Sequence, residues 1–274
     1  MEDLSDFKKE YEQKGYFIIK SYLDKELINE INNFLNSAKP VMYIPYSKNV
    51  PWGYGNLINN KSFMNFFPLE LIKNSISKYI NPKYMEINHI LAVNKAPFIG
   101  PDVEWHQEFF NVNTFAPGYD PLVDINKFMQ IFIGIDQHTN ENGPLLFFEG
   151  SHKEGLLESE DIINNNLVHK RRLIFSELER ISKKYELRKM ILEKGDAVFF
   201  NHLLVHGSAT NCSKQNRRAL ILQVRSSEKS KDEGLYLKEV NHRKSFLIDK
   251  CYSKIKQLNN DNSYSEQSSF IKRK

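Results

Sequence analysis

Residues 105–110 read WHQEFF, and a hundred residues past that histidine the chain reads LLVHGSATN. His106 and Glu108 are two positions apart, the spacing that places both side chains on one side of a β-strand. Two histidines and a carboxylate on one side of a metal, with the other side open, form the ligand set of non-haem Fe(II) oxygenases. His106, Glu108 and His206 are therefore the candidate ligands, the third brought in from a distant strand. The His-x-Glu pair is weak by itself, because eight histidines produce a second one, His152/Glu154 in EGSHKEG. That pair is Gly-flanked and reads as a turn. His106 instead follows a β-prone run and a Gly-Pro turn, with Trp105, Phe109 and Phe110 as an apolar wall.

His206 ends a β-prone run and enters a polar turn, and eleven residues later Arg217 opens the next run. A hairpin would carry Arg217 back beside His206. A dicarboxylate co-substrate such as 2-oxoglutarate chelates iron through its keto-acid end and needs a cation for its far carboxylate. The planar fork of arginine suits that carboxylate. Arg218 then faces the other side of the strand, although a register shift of one residue exchanges the two roles.

The elements that must position these residues fall into two textures. FKKEYEQKGYFIIKSYLDKELINEINNFLNSA reads as helix, short strand, helix, with Leu27, Ile28, Ile31, Phe34 and Leu35 at the spacing of one buried face. A polar stretch bearing Pro and Gly follows from Pro40 to about Ser62, and a further helix is expected in PLELIKNSISKYI. From about residue 85, short β-rich runs alternate with Gly, Pro, Asn and Asp, as in β-sandwiches and barrels. A helical insertion is expected over roughly 159–186. The reading is N-terminal helices (about 1–84) on a β core (about 85–226), then an extension, 227–274.

Charge is uneven. From Ser227 onward there are 11 Lys/Arg against 7 Asp/Glu, which accounts for the whole net charge of +4. The preceding 226 residues carry no basic stripe, which argues against nucleic-acid binding, and the tail reads as a solvated extension. No apolar run reaches 18 residues, so no membrane span is expected. The charged N-terminus lacks the apolar stretch of a signal peptide. Two distant cysteines, Cys212 and Cys251, fit a reducing cytoplasm.

Taken together, GYFIIKSYLDKELI, WHQE, IDQHTNENGPLLFFEGSHKEG, GDAVFFNHLLVHGSATN and RRAL resemble, in order and spacing, the phytanoyl-CoA dioxygenase family of Fe(II)- and 2-oxoglutarate-dependent oxygenases, which includes ectoine hydroxylase. These segments span about residues 15–225. The resemblance implies a mainly β fold, a double-stranded β-helix (jelly-roll, cupin-like) core with flanking helices. It implies Fe(II), 2-oxoglutarate and O2 as cofactor and co-substrates. By position it makes His106, Glu108 and His206 the metal ligands and Arg217 the clamp on the distal carboxylate. Ser208 falls where the family touches that carboxylate, and Gln130 where it places a polar co-substrate contact. Asn94 is a further residue of that kind. The family usually has Asp where this chain has Glu108. Related halogenases have a small residue there, so Glu108 argues against halogenation.

Other residues keep two readings. His202 would face the same side as His206, either orienting a ligand or substrate or serving as a hydrogen-bonded strand histidine. Trp52, Tyr54 and Asn56 precede the β core and either contact substrate or pack their loop. Phe110, in FFNVNTFAPGYDP, would belong to a lid. His138 reads as an exposed loop residue, and His89, His169 and His242 carry no motif. The function expected is hydroxylation of an unactivated C–H bond in a small polar metabolite, releasing succinate and CO2. Desaturation, ring closure or cleavage at the same iron is the alternative, as is a jelly-roll that binds without turnover.

Overall fold

The computed structural model of the protein describes residues 4–44, 47–80, 84–108, 128–162, 171–227 and 235–237. Five helices are described: α1 (Leu4–Lys14), α2 (Lys25–Ser37), α3 (Lys61–Met64), α4 (Leu69–Ile80) and α5 (Phe175–Lys184). The strands are β1 (Tyr16–Ile19), β2 (Met42–Ile44), β3 (Ser47–Asn56), β4 (Tyr84–Lys95), β5 (Val103–His106), β6 (Phe128–Gly134) and β7 (Leu145–Phe148). They continue as β8 (Ser159–Asp161), β9 (Arg171–Leu173), β10 (Leu187–Met190), β11 (Ala197–Asn201), β12 (His206–Ser208), β13 (Arg217–Ser227) and β14 (Leu235–Leu237).

The large sheet runs β1-β11-β6-β13-β4-β3-β2, with β14 added in parallel along β4. The small sheet runs β10-β7-β12-β5. All other pairings in the two sheets are antiparallel. The sheets share one core, in which Phe132, Val198, Phe200 and Ala219 of the large sheet pack with Leu145, Phe147 and Met190 of the small one. The other face of the large sheet, with Ile90, Ile131, Phe199, Leu220 and Leu222, is covered by Ile31, Leu35, Phe63, Ile72 and Ile76 of the helices. This is the expected double-stranded β-helix with helices on one flank.

Strand alternation produces the two faces. Along β13, Leu220, Leu222 and Val224 join the helix-side core, whereas Ala219 and Ile221 join the inner one. The α2 helix is fixed by Asp24, whose carboxylate accepts the Leu27 N–H at 2.8 Å, and it buries Ile28, Ile31 and Leu35.

The polar stretch from Pro40 to about Ser62 departs from its reading as a connecting segment, because β2 and β3 lie within it and extend the large sheet. Pro51 is tolerated there because the pairing is bulged and lies at the sheet margin. Among the described residues of the insertion at 159–186 there is one helix, α5, preceded by the β8–β9 ribbon. Of the C-terminal extension, only Leu235–Leu237 lies among the described residues beyond Ser227. Among the described residues, no helix is long and apolar enough to cross a membrane.

Candidate metal centre

β5 and β12 bring the first half of the site together, since His106 and His206 are direct partners across the small sheet. Their rings lie 4.2 Å apart, and Glu108 follows just past the end of β5. Both Nε2 atoms stand 3.3 Å from Glu108 Oε1. One ligand atom from each of the three residues lies within 4.8 Å of the others, and all three side chains are buried. A first-row metal ion with bonds near 2 Å fits a donor set of that size.

The imidazoles are preset for such an ion. His106 Nδ1 faces the Glu104 carbonyl at 2.5 Å, and His206 Nδ1 faces the Leu204 carbonyl at 2.9 Å. A carbonyl can only accept, so each Nδ1 carries a proton, which leaves Nε2 as the nitrogen a metal would take. Burial lowers the pKa of His206, and the neighbouring His106 lowers it further. For Glu108, burial alone would raise the pKa. Hydrogen bonds and charge from His106 and His206 outweigh it and hold the carboxyl well below its ordinary range. Glu108 is thus held as the carboxylate that a metal requires.

Gln107, between the two ligands, points the other way and staples the segment. Its amide donates to the Gly155 and Leu203 carbonyls at 2.9 and 2.7 Å and accepts the Leu157 N–H at 2.9 Å. The Glu108 N–H donates to the His202 carbonyl at 2.9 Å, tying the ligand segment to the end of β11. The His202 ring is 1% exposed and stacks 5.2 Å from Phe128. Burial pushes its pKa down to about 4, so it is neutral near pH 7.

Arg217 faces the inner core, its guanidinium 5.5 Å from the Phe132 ring. It donates through Nε and Nη2 to the Gly143 carbonyl at 3.1 and 2.8 Å. Among the described residues no carboxylate lies within ion-pair distance of it, and burial holds its pKa below the ordinary guanidinium range. Register pairs Arg217 with Lys95 and Arg218 with Asn94. Asn94 is therefore on the helix-side face, where its amide donates to the Pro51 carbonyl at 3.3 Å, and is not brought to the interior. The polar residue beside Arg217 is Lys95, which the sequence reading passed over. Its ammonium donates to the Ala209 carbonyl and is 2% exposed. Burial first, and Arg217 second, lower its pKa well below the lysine norm. Its place as a lysine closing an apolar run was the available signal.

Ser208 sits two residues beyond His206 on β12 and is buried. Gln130 lies on the inner face of β6, opposite Gln223, and its buried Oε1 has no hydrogen-bond partner among the described residues. Trp52 packs against the inner core, but Tyr54 packs against the helix-side core and feels the charge of Arg218, which removes it from the site. Phe110 falls outside the described residues, as do His169, His242 and Cys251. Cys212 is an exposed free thiol. His138 is fully buried rather than exposed, because its backbone bridges to Leu192 and its ring packs on Phe132 at 5.3 Å. In the decoy pair, Glu154 binds Arg180, Lys184 and Tyr185, and His152 faces the Glu12 carbonyl.

Comparison with known proteins agrees with this geometry. A profile of the family described as Phytanoyl-CoA dioxygenase (PhyH) matches residues 11–219. The peroxisomal phytanoyl-CoA dioxygenase of Bos taurus is 24% identical over 232 residues, covering 78% of this chain and 66% of that relative, so the chain spans about two thirds of its length. L-proline trans-4-hydroxylase of Streptomyces griseoviridis is 29% identical over 129 residues, 43% of this chain and 46% of that one. Among solved structures, EctD from S. alaskensis with 2-oxoglutarate and 5-hydroxyectoine superposes with a TM-score of 0.64 at 15% identity, covering 80% of this chain and 74% of that chain. EvdO2 from Micromonospora carbonacea var. aurantiaca with 2-oxoglutarate gives 0.62 at 17% identity, over 83% and 93%.

Proposed function

Because the chain belongs to the phytanoyl-CoA dioxygenase family, we propose that it is an Fe(II)- and 2-oxoglutarate-dependent dioxygenase that hydroxylates a C–H bond of a small polar metabolite. The carrying observation is the convergence of His106, His206 and Glu108, with both imidazole Nε2 atoms turned to one carboxylate oxygen. The hydroxylase among the relatives, which its name assigns to proline, supports hydroxylation over desaturation or cleavage, and supports the substrate class.

His106, Glu108 and His206 would hold the iron. When bound, that iron supplies the oxidising chemistry, in which 2-oxoglutarate is decarboxylated to succinate and CO2 while the substrate C–H bond is oxidised. The carbonyls of Glu104 and Leu204 keep the two imidazoles in the ligating tautomer. Arg217 and Lys95, two buried basic side chains with backbone carbonyls as their hydrogen-bond acceptors, would receive the distal carboxylate together with Ser208, which is buried on β12. Gln130 offers an unused acceptor on the same inner face. Phe132, Phe147 and Phe200 keep water from this interior. The segment 227–274 is read as an extension to the oxygenase domain.

The test is an anaerobic titration with Fe(II) and then 2-oxoglutarate. A visible charge-transfer band should form in the parent and be absent in His106→Ala. Iron binding without a band would remove 2-oxoglutarate from the reading. Failure to bind any metal would leave a jelly-roll that binds without turnover.

A further inference from the structure

We infer that Gln223 is a positioning residue for the metal centre, tethering Glu108 so that it offers the metal one oxygen only. This rests on the metal-site reading above. Glu108 Oε1 is equidistant, at 3.3 Å, from the two imidazole nitrogens. Its Oε2 is turned away and accepts the Gln223 Nε2–H at 3.1 Å. The two residues are 115 positions apart, one beyond β5 and the other in β13 of the opposite sheet. Gln223 is 5% exposed, and its strand neighbours across β6 and β4 are Gln130 and His89.

The chemistry of the pair fixes the amide. A carboxylate accepts and never donates, so the NH2 edge of Gln223 must face Oε2. Gln223 Oε1 is then directed away and has no hydrogen-bond partner among the described residues. A glutamine filling core volume would be better served by leucine or methionine, which bring no polar atom to bury. The residue is explained by what it donates. A glutamate has one more rotatable bond than an aspartate and can swing to chelate through both oxygens. Doing so would take up a coordination position that the co-substrates need. With Oε2 held from across the core, that swing is closed, and Glu108 reaches the metal as a shorter carboxylate would.

The experiment uses the full chain loaded with Co(II), whose visible spectrum reports ligand geometry without turnover. Affinity is measured by chelator competition. The parent should bind Co(II), and His106→Ala should not. Gln223→Met should weaken binding roughly ten- to hundredfold, as for other partners of metal ligands, and shift the visible bands. In a Glu108→Asp background, whose shorter carboxylate no longer reaches Gln223, the same substitution should change affinity by less than about threefold. Parent-like affinity and spectrum in Gln223→Met, or an equal loss in both backgrounds, would overturn the tether while leaving the metal site standing. A parent that binds no Co(II) would overturn both. Should Gln223→Met not fold, Gln223→Glu fills the same volume with an acceptor in place of the donor, and the same outcomes decide.

Discussion

Arg217 and Arg218 are adjacent in sequence and face opposite sides of β13. Arg217 enters the inner core and donates to the Gly143 carbonyl, whereas Arg218 grips Asp136 with Nε and Nη2, each at 2.9 Å. On the proposed reading, the difference would separate a ligand-binding cation from a structural one. Arg217→Ala should weaken 2-oxoglutarate binding more than tenfold, on the order of the loss of one charge-assisted pair, and leave metal affinity intact. Arg218→Ala should leave 2-oxoglutarate affinity unchanged and cost about 1–3 kcal/mol of stability in urea unfolding. Exchanged results would place β13 one residue out of register.

Lys95 gives the co-substrate step a pH signature. Burial and Arg217 hold its pKa well below the lysine norm in the free protein, and an incoming carboxylate reverses that. Binding of 2-oxoglutarate should therefore take up protons and weaken as pH rises. Calorimetry in two buffers of different ionisation enthalpy reads the uptake, which should vanish in Lys95→Met. An unchanged uptake would assign the proton to another group.

The decoy motif has a stabilising role of its own. Hydrogen bonds from Lys184, Tyr185 and Arg180 depress the Glu154 pKa from 4.5 to about 2. A depressed carboxyl contributes stability that is present above its unfolded pKa and lost as pH falls through the folded one. Between pH 4.5 and 2, Glu154→Gln should therefore show a shallower fall in melting temperature than the parent, with Co(II) affinity at pH 7 unaffected. Parallel curves would deny the cluster any role.

Gly195 turns the chain into β11 with φ at +86°, and a Cβ there would lie 2.3 Å from the Leu23 carbonyl oxygen. Gly195→Ala should cost roughly 1–3 kcal/mol, from left-handed strain and that contact. Denaturant unfolding measures it, and an effect under about 0.5 kcal/mol would contradict the geometry.

The candidate metal ligands were legible because the two-residue spacing of His106 and Glu108 is a local rule. The expected hairpin from His206 to Arg217 does not form, since β12 pairs in the small sheet and β13 in the large one, and Arg217 reaches the interior from the opposite sheet. That Lys95 and not Asn94 faces inward was not legible for want of register, since a strand's inward face is decided by its partners and β4 is bulged opposite Gln223 and Val224. Gln223 carried no spacing signal at all, because its partner Glu108 comes from the other sheet. His138 was misread because a polar loop can be drawn inward by a backbone bridge such as that to Leu192. The strands β2 and β3 were hidden by Pro and Gly residues that only a sheet margin accepts.

The short strand β1 covers the outer rim of β11, pairing Tyr16–Ile19 with Ala197–Phe200. Without it, the backbone of AVFFN would present unpaired N–H and C=O groups on an uncharged, phenylalanine-bearing ribbon. Such a ribbon templates strand addition between molecules. Tyr16–Ile19 therefore seal that edge as well as filling the core with Phe17, and removing them would expose a surface prone to strand addition.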